Sequence, residues 1–317
     1  MRMQKRIYSS LDIGKFIFAC FIPLLHIPFT DNNYVWLIQQ YVSRLGVPFF
    51  FVVSGFLLYQ SMNKHGRLVA YVLYSKRVAL MLFGWLLIYS PLLYVMMKND
   101  VSILQNLVFK TPAFLWFLTA LLVAAIPFCL IKNRMLLLFV SLLLYIWGTF
   151  YGGSYQWLSG GVESYEKLFL TTRNGIFFAL PLFCIGELGA KNYDHQKNVV
   201  MYLLISFILF GGEVTYVIHK AAFKSDFSMY FTLPIVTYFL VAFFYKLRID
   251  IDTLDIRKYS TAIYVIQFGI ISILEKIIKM IGMDLNIGGV IVWILVINSG
   301  LVFSYVTKRL KFLSFLI

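Results

Sequence analysis

The sequence predicts an all-helical, polytopic membrane protein: a single domain over residues 1–317, about ten transmembrane helices, and both termini in the cytosol. Three observations predict it. Of the 317 residues, 61% are hydrophobic and only 13% charged, whereas a soluble domain carries about a quarter charged residues. The apolar segments are mostly about 16 to 22 residues long, which suits helices crossing a hydrocarbon core about 30 Å thick. A β-barrel would show alternating segments of roughly ten residues, and the sequence has none. Finally, the basic residues fall unevenly on the two sides of the segments they separate.

In order, the spans lie at about 11–29, 41–61, 78–97, 113–131, 135–151, 174–189, 199–219, 228–245, 260–279 and 287–306. Arg2, Lys5 and Arg6 precede the first, as they would in a secretory signal. No small-residue cleavage pattern follows and Lys15 interrupts the apolar core, so the helix reads as retained. With the N-terminus inside, eighteen of the 28 basic residues fall on the cytosolic side and nine on the outer side or in outer helix ends. That excess fixes the expected orientation. The longest outer loop, about 152–173, carries Gly152-Gly153, Gly160-Gly161, Glu163 and Glu166, and is too short to be a domain. Cys20, Cys129 and Cys184 all fall inside spans with no C-x-x-C pair, so neither a disulfide framework nor a metal site is expected. The net charge of +14 reads as orientation and contact with anionic lipid of the bilayer, not as a nucleic-acid surface.

The ionisable residues within spans carry the functional signal, because charge at membrane depth is costly and usually faces a cavity or a partner. Lys15 and His26 are eleven residues apart. In one continuous α-helix that is about 1100°, within about 20° of three turns, and about 16 Å of rise, so both would leave the helix on one face. Two roles are open to Lys15, snorkelling to the headgroups or lining a channel. His26 is either a buried hydrogen-bonding group or a proton acceptor suited to neutral pH. Arg44, in the first turn of the second span, is either interfacial or a stabiliser of developing negative charge. Glu213, well inside the seventh span, is either paired or neutralised, or else binds an acceptor or orients His26. Ser54-Gly55 reads as close helix packing. Gln267, in Tyr264-Val265-Ile266-Gln267, lies inside the ninth span and cannot titrate.

Lys15, ten residues and then His26, followed by Arg44-Leu45-Gly46-Val47-Pro48-Phe49-Phe50-Phe51-Val52-Val53-Ser54-Gly55-Phe56-Leu57-Leu58, resembles the acyltransferase-3 family of integral membrane O-acyltransferases. Lys76-Arg77, Leu115-Trp116-Phe117-Leu118 and Thr172-Arg173-Asn174-Gly175 extend the resemblance along the chain. It implies a multi-pass protein of the bacterial cytoplasmic membrane. Such a protein moves an acyl group, most often acetyl, from cytosolic acyl-coenzyme A to a hydroxyl of a surface carbohydrate or lipid-linked glycan, without a metal. On that resemblance His26 is the catalytic residue, Lys15 and Arg77 hold the donor, and Gln267 ends a stretch that in the family often closes on His, which leaves it a binding role; Arg44 and Glu213 join His26 as catalytic candidates on their positions alone. The family pattern has a second basic residue three positions after the first, where this chain has Leu80. Membrane transport, as a flippase or a transport module, is the rival reading of a polytopic chain with a charged interior.

The charge asymmetry makes a direct prediction. Cysteines introduced at Asn63 and Lys258 should resist an impermeant thiol reagent in intact cells. Strong labelling at either site would overturn the orientation.

Overall fold

The computed structural model describes residues 9–27, 29, 33–97, 115–159, 170–221, 228–247, 249 and 251–317, and every regular element among them is helical. Arg2, Lys5, Arg6, Glu163, Glu166 and Arg248 lie outside the described residues. In chain order the helices are α1 (Ser9–Phe21), α2 (Asn33–Tyr41), α3 (Gly46–His65), α4 (Arg67–Ile88), α5 (Ser90–Met97), α6 (Trp116–Leu130) and α7 (Arg134–Gly152). There follow α8 (Gln156–Ser159), α9 (Leu180–Asn192), α10 (Val199–Ala221), α11 (Leu233–Lys246), α12 (Leu254–Met280) and α13 (Leu285–Arg309).

Six helical stretches are long and apolar enough to cross a membrane: Val35–His65, Arg67–Ile88, Arg134–Gly152, Val199–Lys220, Leu254–Met280 and Asn286–Arg309. Two shorter apolar helices, Trp116–Leu130 and Leu233–Lys246, accompany them. Their outward faces expose large apolar side chains such as Phe83, Phe139 and Ile208. Those faces would be unstable in water and suit lipid, so the chain is a multi-pass membrane protein.

Two expected spans differ in form. The first is not one helix from residue 11 to 29. Here α1 stops at Phe21 and a 3₁₀ turn, Ile22–Leu25, continues it to His26. Pro23 causes the change, because it has no N–H for the carbonyl four residues back and its ring crowds that turn. The third span begins earlier than expected, so Lys76 and Arg77 lie in the middle of α4 and do not open it. The residue that separates α3 from α4 is Gly66, at φ +82°, a left-handed conformation costly to a residue with a Cβ.

The core is built where α3 crosses α9. A Cβ on Gly186 would land on the Val52 carbonyl oxygen and the Phe56 nitrogen, and one on Gly55 would land on the Phe183 backbone. Two backbones therefore touch with no side chain between them, as small residues permit in membranes. Around that crossing Phe51, Phe128 and Tyr74 surround the Phe183 ring at centroid distances of 6.4, 5.6 and 6.3 Å. Beside the crossing Arg134, the first residue of α7, ties its helix to two others. It donates to both Glu187 oxygens on α9 and to the Phe128 carbonyl on α6 at 2.6 Å. A second apolar cluster, Ile27, Ile271, Ile278, Val292 and Val296, joins the end of the first span to α12 and α13.

Gly186→Leu should force α3 and α9 apart and lower stability by about 1–3 kcal/mol, the usual cost of overpacking. Thermal unfolding in detergent would register this as a lower midpoint, and an unchanged midpoint would contradict the packing described.

Candidate functional site

The site grows from the first turns of α1. Asp12 is fully buried on a helix whose next turn carries Lys15, and positions three apart on a helix face each other. Lys15 Nζ lies 2.5 Å from Asp12 Oδ1. From α12, Arg257 donates to Asp12 Oδ2 from Nη2 at 2.8 Å and from Nε at 3.2 Å, and Thr253 Oγ1 donates to the same oxygen at 3.0 Å. A buried carboxylate needs this many donors, since an unpaired one would be strongly disfavoured. Arg77, reaching in from α4, is within electrostatic range of both Lys15 and Arg257. One carboxylate thus stands among three cations, and the group keeps an excess of positive charge.

That group forms one end of a cavity of about 440 Å³ between α1, α3, α4, α6 and α12. Leu73 and Arg77 stand exposed at its mouth. The rest of the lining is mostly apolar, with Val47, Phe50, Leu57 and Phe117, and it reaches Ile22 of the 3₁₀ turn. Ser54 also faces this space, while its neighbour Gly55 makes the helix crossing described above.

His26 lies beyond Ile22. It caps the 3₁₀ turn, its N–H donating to the Pro23 carbonyl at 2.9 Å, and the turn itself is gripped by Gln39 Nε2, which donates to the Leu24 carbonyl at 2.6 Å. A 3₁₀ turn advances about 120° per residue where an α-helix advances about 100°. The eleven-residue register with Lys15 therefore does not carry through. Lys15 lines the cavity and His26 does not. His26 is instead within electrostatic range of Arg44 and Arg173. Arg44 Nε donates to Gln40 Oε1 at 3.4 Å. Arg173 rides over the Trp116 ring at 5.2 Å. It is presented by Asn174, whose side chain caps the π-helical turn Gly175–Ala179 by accepting from Ile176 and Phe177 at 2.9 and 3.1 Å. Irregular helical turns of this kind recur at functional sites.

The structure thus brings Lys15 and Arg77 together at one end, and His26 and Arg44 together near the other. Glu213 joins neither group. Its carboxylate accepts from the backbone N–H of Phe231 at 2.7 Å and of Thr232 at 2.8 Å, and from the Thr232 hydroxyl, at the N-terminus of α11. Those are the bonds of a helix cap supplied by another helix. Asp12 and Arg257 complete the charged group at the cavity, and the sequence alone does not single them out. The i, i+3 spacing of Asp12 and Lys15 was the available signal for the first. Arg257 looked like any basic residue at a helix end.

The profile of the family described as Acyltransferase domain matches residues 8–309. Among curated proteins, the chain is 30% identical over 285 residues to an amino-acid racemase of Enterococcus faecalis, covering 81% of this chain and 39% of that protein. It is 24% identical over 310 residues to a second amino-acid racemase of Enterococcus faecalis, covering 86% and 42%. With a serine/alanine racemase of Enterococcus gallinarum it shares 26% identity over 262 residues, covering 73% and 36%. The chain spans about two-fifths of the length of these relatives. No solved structure matches it significantly.

Removing the α11 cap tests what Glu213 is for. Glu213→Ala should lower stability by about 2 kcal/mol, the upper end of cap losses, seen as a reduced unfolding midpoint. Unchanged stability would return the carboxylate to the list of chemical groups.

Proposed function

The chain belongs to the acyltransferase-3 family, and from that premise we propose that it moves an acyl group, most simply acetyl, from acyl-coenzyme A to a hydroxyl of an envelope carbohydrate or lipid-linked glycan. One observation carries the reading: a cavity whose mouth gathers Lys15, Arg77 and Arg257 around Asp12 and whose interior is apolar. A coenzyme A thioester has that polarity, with phosphates at one end and a slender arm ending in the acyl group at the other. Arg257 and Arg77 meet phosphate through planar forks, and Lys15 meets it as a compact charge. Asp12 holds two of these cations in place before the donor arrives.

In this reading the donor enters from the cytosol and its thioester reaches the His26 turn, where the acceptor hydroxyl arrives from the opposite side. His26 takes the hydroxyl proton as the oxygen bonds to the acyl carbon. The carbon–sulfur bond then breaks, and the departing thiolate takes that proton from the imidazolium. The products are one ester and free coenzyme A. Arg44 and Arg173 lie where they would steady the acceptor or the charge that develops on the acyl oxygen. Glu213 is left to its cap.

The lengths of the racemase relatives favour a second reading. A chain that spans two-fifths of such proteins would serve as a membrane module that admits a small amino acid. Vesicles that take up labelled serine or alanine while binding no acetyl-coenzyme A would select it.

The deciding measurement is transfer of radiolabelled acetyl into the carbohydrate fraction, alongside acetyl-coenzyme A binding. His26→Gln should lower transfer by about a hundredfold to ten-thousandfold and leave donor binding intact. Lys15→Ala and Arg257→Ala should weaken donor binding by a margin that shrinks as salt rises. Retained transfer in His26→Gln removes the imidazole from the chemistry, and unchanged donor affinity in both cation variants removes the phosphate site.

A further inference from the structure

Gln267 is wholly buried, and among the described residues neither its Oε1 nor its Nε2 has a hydrogen-bond partner. A carboxamide held this way away from water loses its solvation and gains nothing in return. Its position says what would complete it. Arg257, Ser260 and Tyr264 line the cavity from α12. Gln267 follows Ser260 by seven residues, about 20° short of two full turns, so it stands on the same face one turn beyond Tyr264. Level along the first span can be read from one ion pair and one shared cluster. Arg257 meets Asp12, and Ile271 and Ile27 share one apolar cluster. Gln267 therefore falls near the level of Ile22, where the cavity meets the turn that carries His26.

We propose that Gln267 binds the acyl end of the donor, its Nε2 donating a hydrogen bond to the thioester carbonyl oxygen between the cavity and His26. This rests on the acyltransferase reading and adds the residue that meets the reacting group. A carboxamide supplies what that place requires. Its N–H meets the carbonyl oxygen, and meets it more strongly once the carbonyl pair has moved onto oxygen in the tetrahedral intermediate. It carries no titratable proton, so the proton traffic stays with His26.

The test uses the full chain in nanodiscs and compares acetyl-coenzyme A with coenzyme A itself. The parent protein should bind the acetylated form more tightly. Gln267→Leu and Gln267→Met should bind the two forms equally, keep the affinity for coenzyme A, and lose about a hundredfold in transfer, as when one oxyanion donor is removed. Neither variant should unfold at a lower temperature than the parent, because each removes a polar group that has no partner in the folded protein. Retained transfer with retained preference for the acetylated form would overturn the proposal. So would a lowered unfolding midpoint in both variants with no change in that preference, which would make the amide structural. A parent protein that binds neither form would overturn the donor reading itself, a result distinct from either of these.

Discussion

The buried carboxylate of Asp12 is the constraint on which the site depends. It is one negative charge that receives Lys15 from its own helix and Arg257 and Thr253 from the far end of the chain. Removing one partner from a buried pair is costly, since the remaining charge stays buried alone. α1 and α12 are therefore registered against each other at one point, and everything above it inherits that register. The cavity is the space left between them and α3, α4 and α6.

The opposite boundary is set by contact without side chains. Because Gly55 and Gly186 let α3 and α9 meet backbone to backbone, α3 cannot shift toward the cavity without opening that crossing. Arg134 fixes the neighbouring end by tying α6, α7 and α9 through one guanidinium. The pocket thus has a wall that is rigid by packing and a wall that is held by charge. Salt acts on the second kind where it is exposed to water and leaves the first kind alone.

Much of this was legible in the sequence. Helical class and membrane character follow from composition and segment length; Lys15, His26 and Arg44 stood out because ionisable groups in apolar segments are rare, and Arg77 through the family resemblance. What was not legible has physical reasons. Pro23 changes the pitch of the first span, and no hydropathy pattern reports pitch. Glu213 looked functional because it is deep in an apolar helix, yet its partners are the N–H groups of a helix start that sequence spacing does not place beside it. Arg257 sits among basic residues that mark orientation, and only the fold shows that its side chain turns inward to Asp12. Gln267 was readable as a binding group only through the family stretch it ends, without its lack of partners.

The proline turn has one more consequence. An unbroken helix satisfies its own carbonyls and so sets its own geometry. Here the Cys20 carbonyl accepts from Trp293 Nε1 at 2.6 Å and the Leu24 carbonyl accepts from Gln39. The segment that carries His26 is thus slung between α13 and α2 and takes its bearings from them. The imidazole is placed by two helices to which it does not belong, so a change on a remote face of either can misaim it without touching the cavity.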